Sequence, residues 1–255
     1  MQTNRMAANK VAIITGSGRG IGAASAKLFA QHNYAVCINY KSDHQSAQQV
    51  ADMICASGGR CITVQANVAE EQDVKSLFNR VEKELGQVTV LVNNAGILKP
   101  QMRLQEMSAQ RIQSVLTNNI LSCFLCSQEA VRRMSTKLGG SGGAIINVSS
   151  GAARSGSPNE YIDYAASKGA MDTITIGLAK EVASEGIRVN GVRPALIYTD
   201  MHVDGGEATR VERLKSAIPL QRGGSVAEVA EAIYWLASDK SSFTTGSFID
   251  VTGGL

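Results

Sequence analysis

The 255-residue sequence has no apolar run near the ~18–20 residues that a membrane-spanning helix needs, so no membrane partner is expected. Residues 1–10 are polar and lack the apolar core of a signal peptide. Residues 1–9 therefore read as a disordered lead-in to one domain spanning 10–255. A dominant charge is also lacking. Lys and Arg number 25 against 22 Asp and Glu, a net charge of +3 with no basic run, which argues against nucleic acid. Cysteines are few and scattered, at 37, 55, 61, 123 and 126. An odd count without framework spacing fits a reducing, cytoplasmic setting. Cys123 and Cys126 form a CxxC, but with no second pair and no nearby His they read as two small buried helix residues. His202 likewise has no ligand constellation around it, and no metal is expected.

What the sequence does contain is alternation. Short apolar runs at 11–15, 35–39, 61–65, 88–92, 144–148, 188–192 and 247–251 are rich in β-branched residues. Nearly continuous apolar strands suit a parallel sheet covered on both faces. Segments with helical spacing lie between them, including 21–31, 45–56, 70–85 and 226–237. This order predicts a doubly wound α/β fold, a Rossmann-type sheet of about seven strands with helices on both faces. No linker or repeat interrupts it. The GGSGG at 139–143 is expected to end a helix and turn into a strand. The polar stretch 198–219, weakly periodic and just beyond a strand, is expected to be a mobile substrate lid.

The first strand runs into Thr15-Gly16-Ser17-Gly18-Arg19-Gly20-Ile21-Gly22, which opens the first helix. In such sheets ligands bind beyond the carboxyl ends of the strands, at helix N-termini. Gly16 would permit the tight turn, Gly20 the approach of a pyrophosphate, and Gly22 close helix–strand packing. Tyr164 and Lys168 are four apart, so a helix places them on one face. A phenol titrates near ~10, and a nearby ammonium favours its ionised form, so the pair is a tunable acid/base.

The glycine spacing TGxxxGxG is followed in order by Asn93-Asn94-Ala95-Gly96, Asn119, Ser149-Ser150, Tyr164-Ala-Ala-Ser-Lys168 and Arg193-Pro194. This set resembles the short-chain dehydrogenase/reductase family across residues 11–254. The resemblance implies an oxidoreductase that moves a hydride between a nicotinamide cofactor and a carbonyl or secondary alcohol. It implies that Tyr164 protonates the carbonyl oxygen, and that Lys168 lowers the Tyr164 pKa and binds the nicotinamide ribose. It further implies that a serine hydroxyl polarises the carbonyl and that Asn119 supports a water leading to Lys168. The serine is taken as Ser150, with Ser149 open, and Asn119 is preferred to Asn118.

The end of the second strand reads Tyr40-Lys41-Ser42, without the acid that would hold an adenosine ribose and repel a 2′-phosphate. With Arg19 it offers two cations and a hydroxyl, so NADPH is favoured over NADH. Asn67 and Val68 are expected beside the adenine, and Asn94, Ala95 and Gly96 beside its ribose. Pro194, Ile197 and Thr199 are expected near the nicotinamide end. Ala195 stands where relatives carry Gly, and Thr252 where many carry Asp. The subgroups resembled are 3-oxoacyl-carrier-protein reductases and sugar (glucose 1-) dehydrogenases. Glu160 and Asp163 could bind sugar hydroxyls, or serve as ordinary helix-start acids. Ser141 and Glu185 replace expected carrier-docking arginines, leaving Arg132 and Arg133 as substitutes. A homotetramer packed through the Tyr164 helix (Gly177, Ala179, Ala183) and the C-terminus is the expected assembly. A non-catalytic dinucleotide sensor is the rival reading.

Overall fold

A computed structural model describes residues 10–255, and the expected lead-in at 1–9 lies outside the described residues. Seven strands form one parallel sheet: β1 Val11–Ile14, β2 Ala35–Tyr40, β3 Cys61–Gln65, β4 Val88–Asn93, β5 Gly143–Val148, β6 Ile187–Pro194 and β7 Phe248–Val251. Their order is β3-β2-β1-β4-β5-β6-β7. The chain starts at the centre, winds one way to β3, then crosses back to β4 beside β1. That reversal leaves a crevice beyond the carboxyl ends of β1 and β4.

The strands are apolar on both faces because both are covered. On one side Ala26, Phe29, Val50, Ile233 and Leu236 pack on Ala12, Ile14 and Val36. Those side chains come from α1 (Gly20–Gln31), α2 (His44–Ala56) and α10, the helix at Val226–Ala237. On the other side Leu77, Phe78, Val81, Cys126, Met134 and Val182 pack on Val11, Ile13 and Leu91. These belong to α3 (Glu71–Glu84), α5 (Ser122–Met134) and α7 (Ile162–Val182). Helix starts follow side-chain chemistry. Asp43 caps α2 by accepting from the Ser46 N–H at 3.0 Å, and Ser108 caps α4 (Ala109–Leu116) through Arg111 N–H at 3.2 Å. Ser225 and Glu228 form a capping box on α10.

The middle of the sheet is tied by polar groups as well. Asn93 Nδ2 donates to Asn147 Oδ1 at 2.9 Å and Ser127 Oγ at 3.1 Å, and Asn147 Nδ2 donates to Thr175 Oγ1 at 2.8 Å. Each of these groups is buried and would be costly unpaired. Cys123 and Cys126 are buried on α5, and desolvation raises both thiol pKa values, Cys123 to about 11. They are two small helix residues, as the sequence implied. Cys55 and Cys61 are free thiols whose sulfurs lie 3.8 Å apart.

Two segments carry structure that leaves little mark in the sequence. Residues 117–121, between α4 and α5, form a π-helical turn. Such a bulge inserts a residue into the helix and re-aims its side chains, and it leaves no periodicity signal. The weakly periodic stretch 198–219 is the second. It holds two short helices, α8 (Met201–Asp204) and α9 (Arg210–Leu214), tied to the fold by the Arg210–Glu160 and Arg19–Asp204 pairs and by the buried Val211 and Ile218. The remaining helix, α6, spans Ala152–Ser155.

Candidate active site

Gly16 and Gly20 adopt φ of +61° and +56°, which a side chain disfavours. At Gly16 a Cβ would also lie 3.0 Å from the Ala95 backbone, whereas at Gly20 it would meet nothing closer than Thr199 at 3.8 Å. Gly16 is therefore needed for packing and turning, and Gly20 faces open space. Gly22 is a third case: a Cβ there would sit 2.5 Å from Asn94 Nδ2 and 2.6 Å from the Gly16 carbonyl. It keeps α1 tight against the fourth strand and does not line the cleft.

The cleft above this loop has a volume of about 490 Å³. It is walled by Gly16, Gly18, Arg19, Gly20 and Ile21, then by Tyr40, Lys41 and Ser42. Asn67 and Val68 continue it, followed by Asn94, Ala95, Gly96 and Thr199. The first N–H groups of a helix have no intrahelical partner, and no side chain caps those of α1, which opens beside the cleft. A cleft of this size, a glycine cradle and the two cations Arg19 and Lys41 in its lining fit a dinucleotide.

Several expected residues are placed otherwise. Ser17 is fully buried; its hydroxyl donates to Ile14 O at 2.7 Å and its N–H to Asn39 O at 2.9 Å, so it shapes the loop from beneath. Pro194 ends β6 and its carbonyl accepts from Gly151 N–H at 2.8 Å. Ile197 is buried, and its carbonyl is taken by the ring Nε2 of His202 at 2.9 Å. Ala195 lies outside the left-handed region, so its methyl costs no backbone strain there. The Thr252 hydroxyl accepts from Gly254 N–H at 3.3 Å, a local turn contact.

Two residues that sequence reasoning passed over hold the cradle together. Asn39 Oδ1 accepts from Gly16 N–H at 3.2 Å, while its Nδ2 donates to the Val64 and Ala66 carbonyls. Thr15 Oγ1 accepts from the N–H groups of Asn94 and Ala95 at 3.0 and 2.9 Å. The available signal was a polar residue at the end of an otherwise apolar strand.

The cleft meets the Tyr164 group at Gly96, where a Cβ would lie 3.4 Å from Asn119 Oδ1 and 3.6 Å from Lys168 Nζ. Asn119, on the π turn, accepts from Ile97 N–H at 2.7 Å and donates to Ile97 O at 3.1 Å and Ser167 Oγ at 3.0 Å. Asn118 instead donates back to Ser114 O, an ordinary helix contact. The serines separate too. Ser149 Oγ is buried and donates to Lys168 O at 3.2 Å, whereas the Ser150 hydroxyl is close enough to Tyr164 to lower its pKa. The structure thus brings Ser150, not Ser149, to the phenol.

Lys168 Nζ donates to Val148 O at 2.7 Å and stands 5.6 Å from the centre of the Tyr164 ring. Burial pushes the phenol of Tyr164 up to about 12 and the ammonium of Lys168 down to about 8. The Tyr164 shift comes from burial, which raises the pKa, offset in part by the Ser150 hydroxyl, which lowers it. Both charged forms lose water here, and desolvation is the largest cause of each shift. The outcome is a neutral phenol and an easily deprotonated amine side by side.

Glu160 and Asp163 are committed elsewhere. Arg210 grips Glu160 with two bonds, at 2.6 and 2.9 Å, and Arg111 pairs with the buried Asp163 at 2.8 Å. Neither carboxylate is free for a sugar. Arg133 is taken up by Glu82 and Glu129 and lies over the Phe78 ring, and Arg132 pairs with Glu129. Among the described residues no helix is long and apolar enough to cross a membrane.

A family described as Enoyl-(Acyl carrier protein) reductase matches residues 16–255. The chain is 54% identical over 244 residues to the uncharacterized oxidoreductase YgfF of Escherichia coli K12, covering 96% of this chain and 99% of that one. It is 37% identical over 250 residues to the 3-oxoacyl-[acyl-carrier-protein] reductase FabG of Staphylococcus aureus, covering 98% and 99%. A dehydrogenase/reductase crystal structure from Sinorhizobium meliloti superposes with a TM-score of 0.89 at 30% identity, over 97% of this chain and 95% of that one. A Tyr164–Lys168 pair beside a glycine-cradled cleft, on this sheet order and with these relatives, makes the chain a member of the short-chain dehydrogenase/reductase family of oxidoreductases.

Proposed function

We propose that the protein is an NADPH-dependent carbonyl reductase, equally an alcohol dehydrogenase in reverse, with Asn119, Ser150, Tyr164 and Lys168 as its catalytic group. The observation that carries the reading is the neutral Tyr164 phenol with the Ser150 hydroxyl beside it, at the end of the cleft that Arg19 and Lys41 line. The cofactor, when bound, supplies the hydride. Ser150 holds a carbonyl oxygen against Tyr164, and Tyr164 gives it the proton. Lys168 holds the nicotinamide ribose and, titrating near 8, restores the Tyr164 proton through the path that Asn119 supports. Arg19, Lys41, Ser42 and Tyr40 receive a 2′-phosphate, and residues 198–219 cover the substrate.

Carrier-protein thioesters are the second reading, favoured by the FabG relative. Against it, Ser141 and Glu185 bond Gln87 and Ser135, and Arg133 is internally paired. The expected setting is cytoplasmic and the expected assembly a homotetramer. Leu121, Phe124 and Ile176 are exposed on the π turn, α5 and α7, where Gly177 leaves open space; Phe243 and Leu255 are exposed near the C-terminus. Ala179 contributes to this chain's own core instead. Sedimentation at micromolar concentration should give the mass of four chains, and a monomer would rule that out.

Cofactor choice is read by fluorescence titration. NADPH should bind at least about tenfold more tightly than NADH, the scale of one or two charge-assisted phosphate contacts. Equal affinity, or tighter NADH, would overturn the reading of Arg19 and Lys41.

A further inference from the structure

We propose that Asp204 is a cofactor-discriminating residue: it competes with a 2′-phosphate for Arg19 and so sets how strongly the protein prefers NADPH. The proposal rests on the reading of Arg19 as a phosphate ligand. Arg19 lies in the cleft wall, yet its guanidinium forms a salt bridge with the Asp204 carboxylate at the end of α8. The two positions are 185 residues apart in sequence. The pair therefore ties the segment 198–219 to the phosphate loop. Thr199, at the start of that segment, approaches the open face of Gly20, and Asp200 and Met201 also border the cleft.

Arg19 has a second acidic neighbour. Its charge reaches Asp43, the cap of α2, on the side of Lys41 and Ser42. The guanidinium thus stands between the adenosine end of the cleft and the covering segment. Its pair with Asp204 is half exposed, at 56% and 43% for the two side chains, and an exposed pair is weak. A doubly charged phosphate offering several acceptor oxygens is the stronger partner. Binding NADPH would then exchange Asp204 for phosphate on Arg19. Binding NADH would leave the Arg19–Asp204 pair in place. Asp204 lowers NADPH affinity because its bond must be given up, and it has no such effect on NADH.

The test is a double-mutant cycle on the full-length protein, with NADPH and NADH affinities read by fluorescence titration at low salt. The expected results are as follows. Arg19→Ala weakens NADPH about tenfold and hardly moves NADH. Asp204→Asn tightens NADPH about threefold, the scale of an exposed ion pair, and leaves NADH unchanged. Asp204→Asn has no further effect in the Arg19→Ala background, and Asp204→Ala repeats the result without an amide. The proposal is overturned if Asp204→Asn changes both cofactors equally, changes neither, or acts as strongly without Arg19. If Arg19→Ala itself fails to separate NADPH from NADH, the phosphate reading of Arg19 falls and takes the proposal with it. An Asp204 failure alone leaves that reading standing.

Discussion

Replacing Tyr164 with Phe should lower turnover about a thousandfold and leave NADPH binding within a factor of about two. The substitution removes one hydroxyl from a ring that packs with Leu98, Val115 and Tyr161, so the fold has no reason to change. What is lost is the proton donor, and a positioned acid contributes roughly 10²–10⁴ in rate. The phenol suits this role because burial holds it neutral, with a pKa of about 12. A neutral donor is ready for reduction at any pH up to that range. Loss of NADPH binding together with turnover would point to a structural role, and retained turnover would remove Tyr164 from the chemistry.

Replacing Lys168 with Met should move activity and stability in opposite directions. The ammonium is buried, and its pKa falls from 10.5 to about 8, which corresponds to roughly 3 kcal/mol of disfavour toward the charged form. Below pH 8 the folded protein carries this buried cation. Methionine keeps the apolar stem and removes the charge, at the loss of one charge-assisted hydrogen bond to Val148 O, worth about 2 kcal/mol. The net gain of about 1 kcal/mol should raise Tm by a few degrees at pH 7. Turnover should fall by at least about a hundredfold. The sign of the pH effect follows. The unfolded chain binds more protons at this residue between pH 8 and 10.5, so wild-type stability gains from raising pH across that window. The Met variant should lack that gain. A lower Tm for Lys168→Met at pH 7 would show that the residue is a structural cation after all. Stability given up at a working residue is a familiar trade.

The fold was largely legible because the strands are buried on both faces. Continuous runs such as 11–15 and 88–92 have few alternatives to a covered parallel sheet, and β1 and β4 lie there. The glycine loop was legible for a steric reason: Gly16 and Gly22 sit where a Cβ would strike backbone or Asn94. Ser150 was preferred to Ser149 in sequence only on the direction expected just past a strand end, which left Ser149 open. The structure separates them by giving Ser149 to the Lys168 carbonyl. Asn119 was identifiable, but its π turn was not, since one extra residue in a helix leaves no pattern.

The covering segment was the least legible part. Its helices are joined to the rest of the fold by distant ion pairs, Arg210 with Glu160 and Arg19 with Asp204, and such pairs have no local signature. The same pairing explains why Glu160 and Asp163 looked like candidate substrate contacts. An acid beside a site carries the same letter whether it is free or held by an arginine 50 residues away.

The most direct test is steady-state oxidation of NADPH, with NADH in parallel, against a panel of aldehydes, ketones, sugars and β-ketoacyl thioesters. The expected result is turnover on a carbonyl class with NADPH, much slower with NADH. Tight NADPH binding with no oxidation across the panel would contradict it and leave a dinucleotide-binding protein without this chemistry.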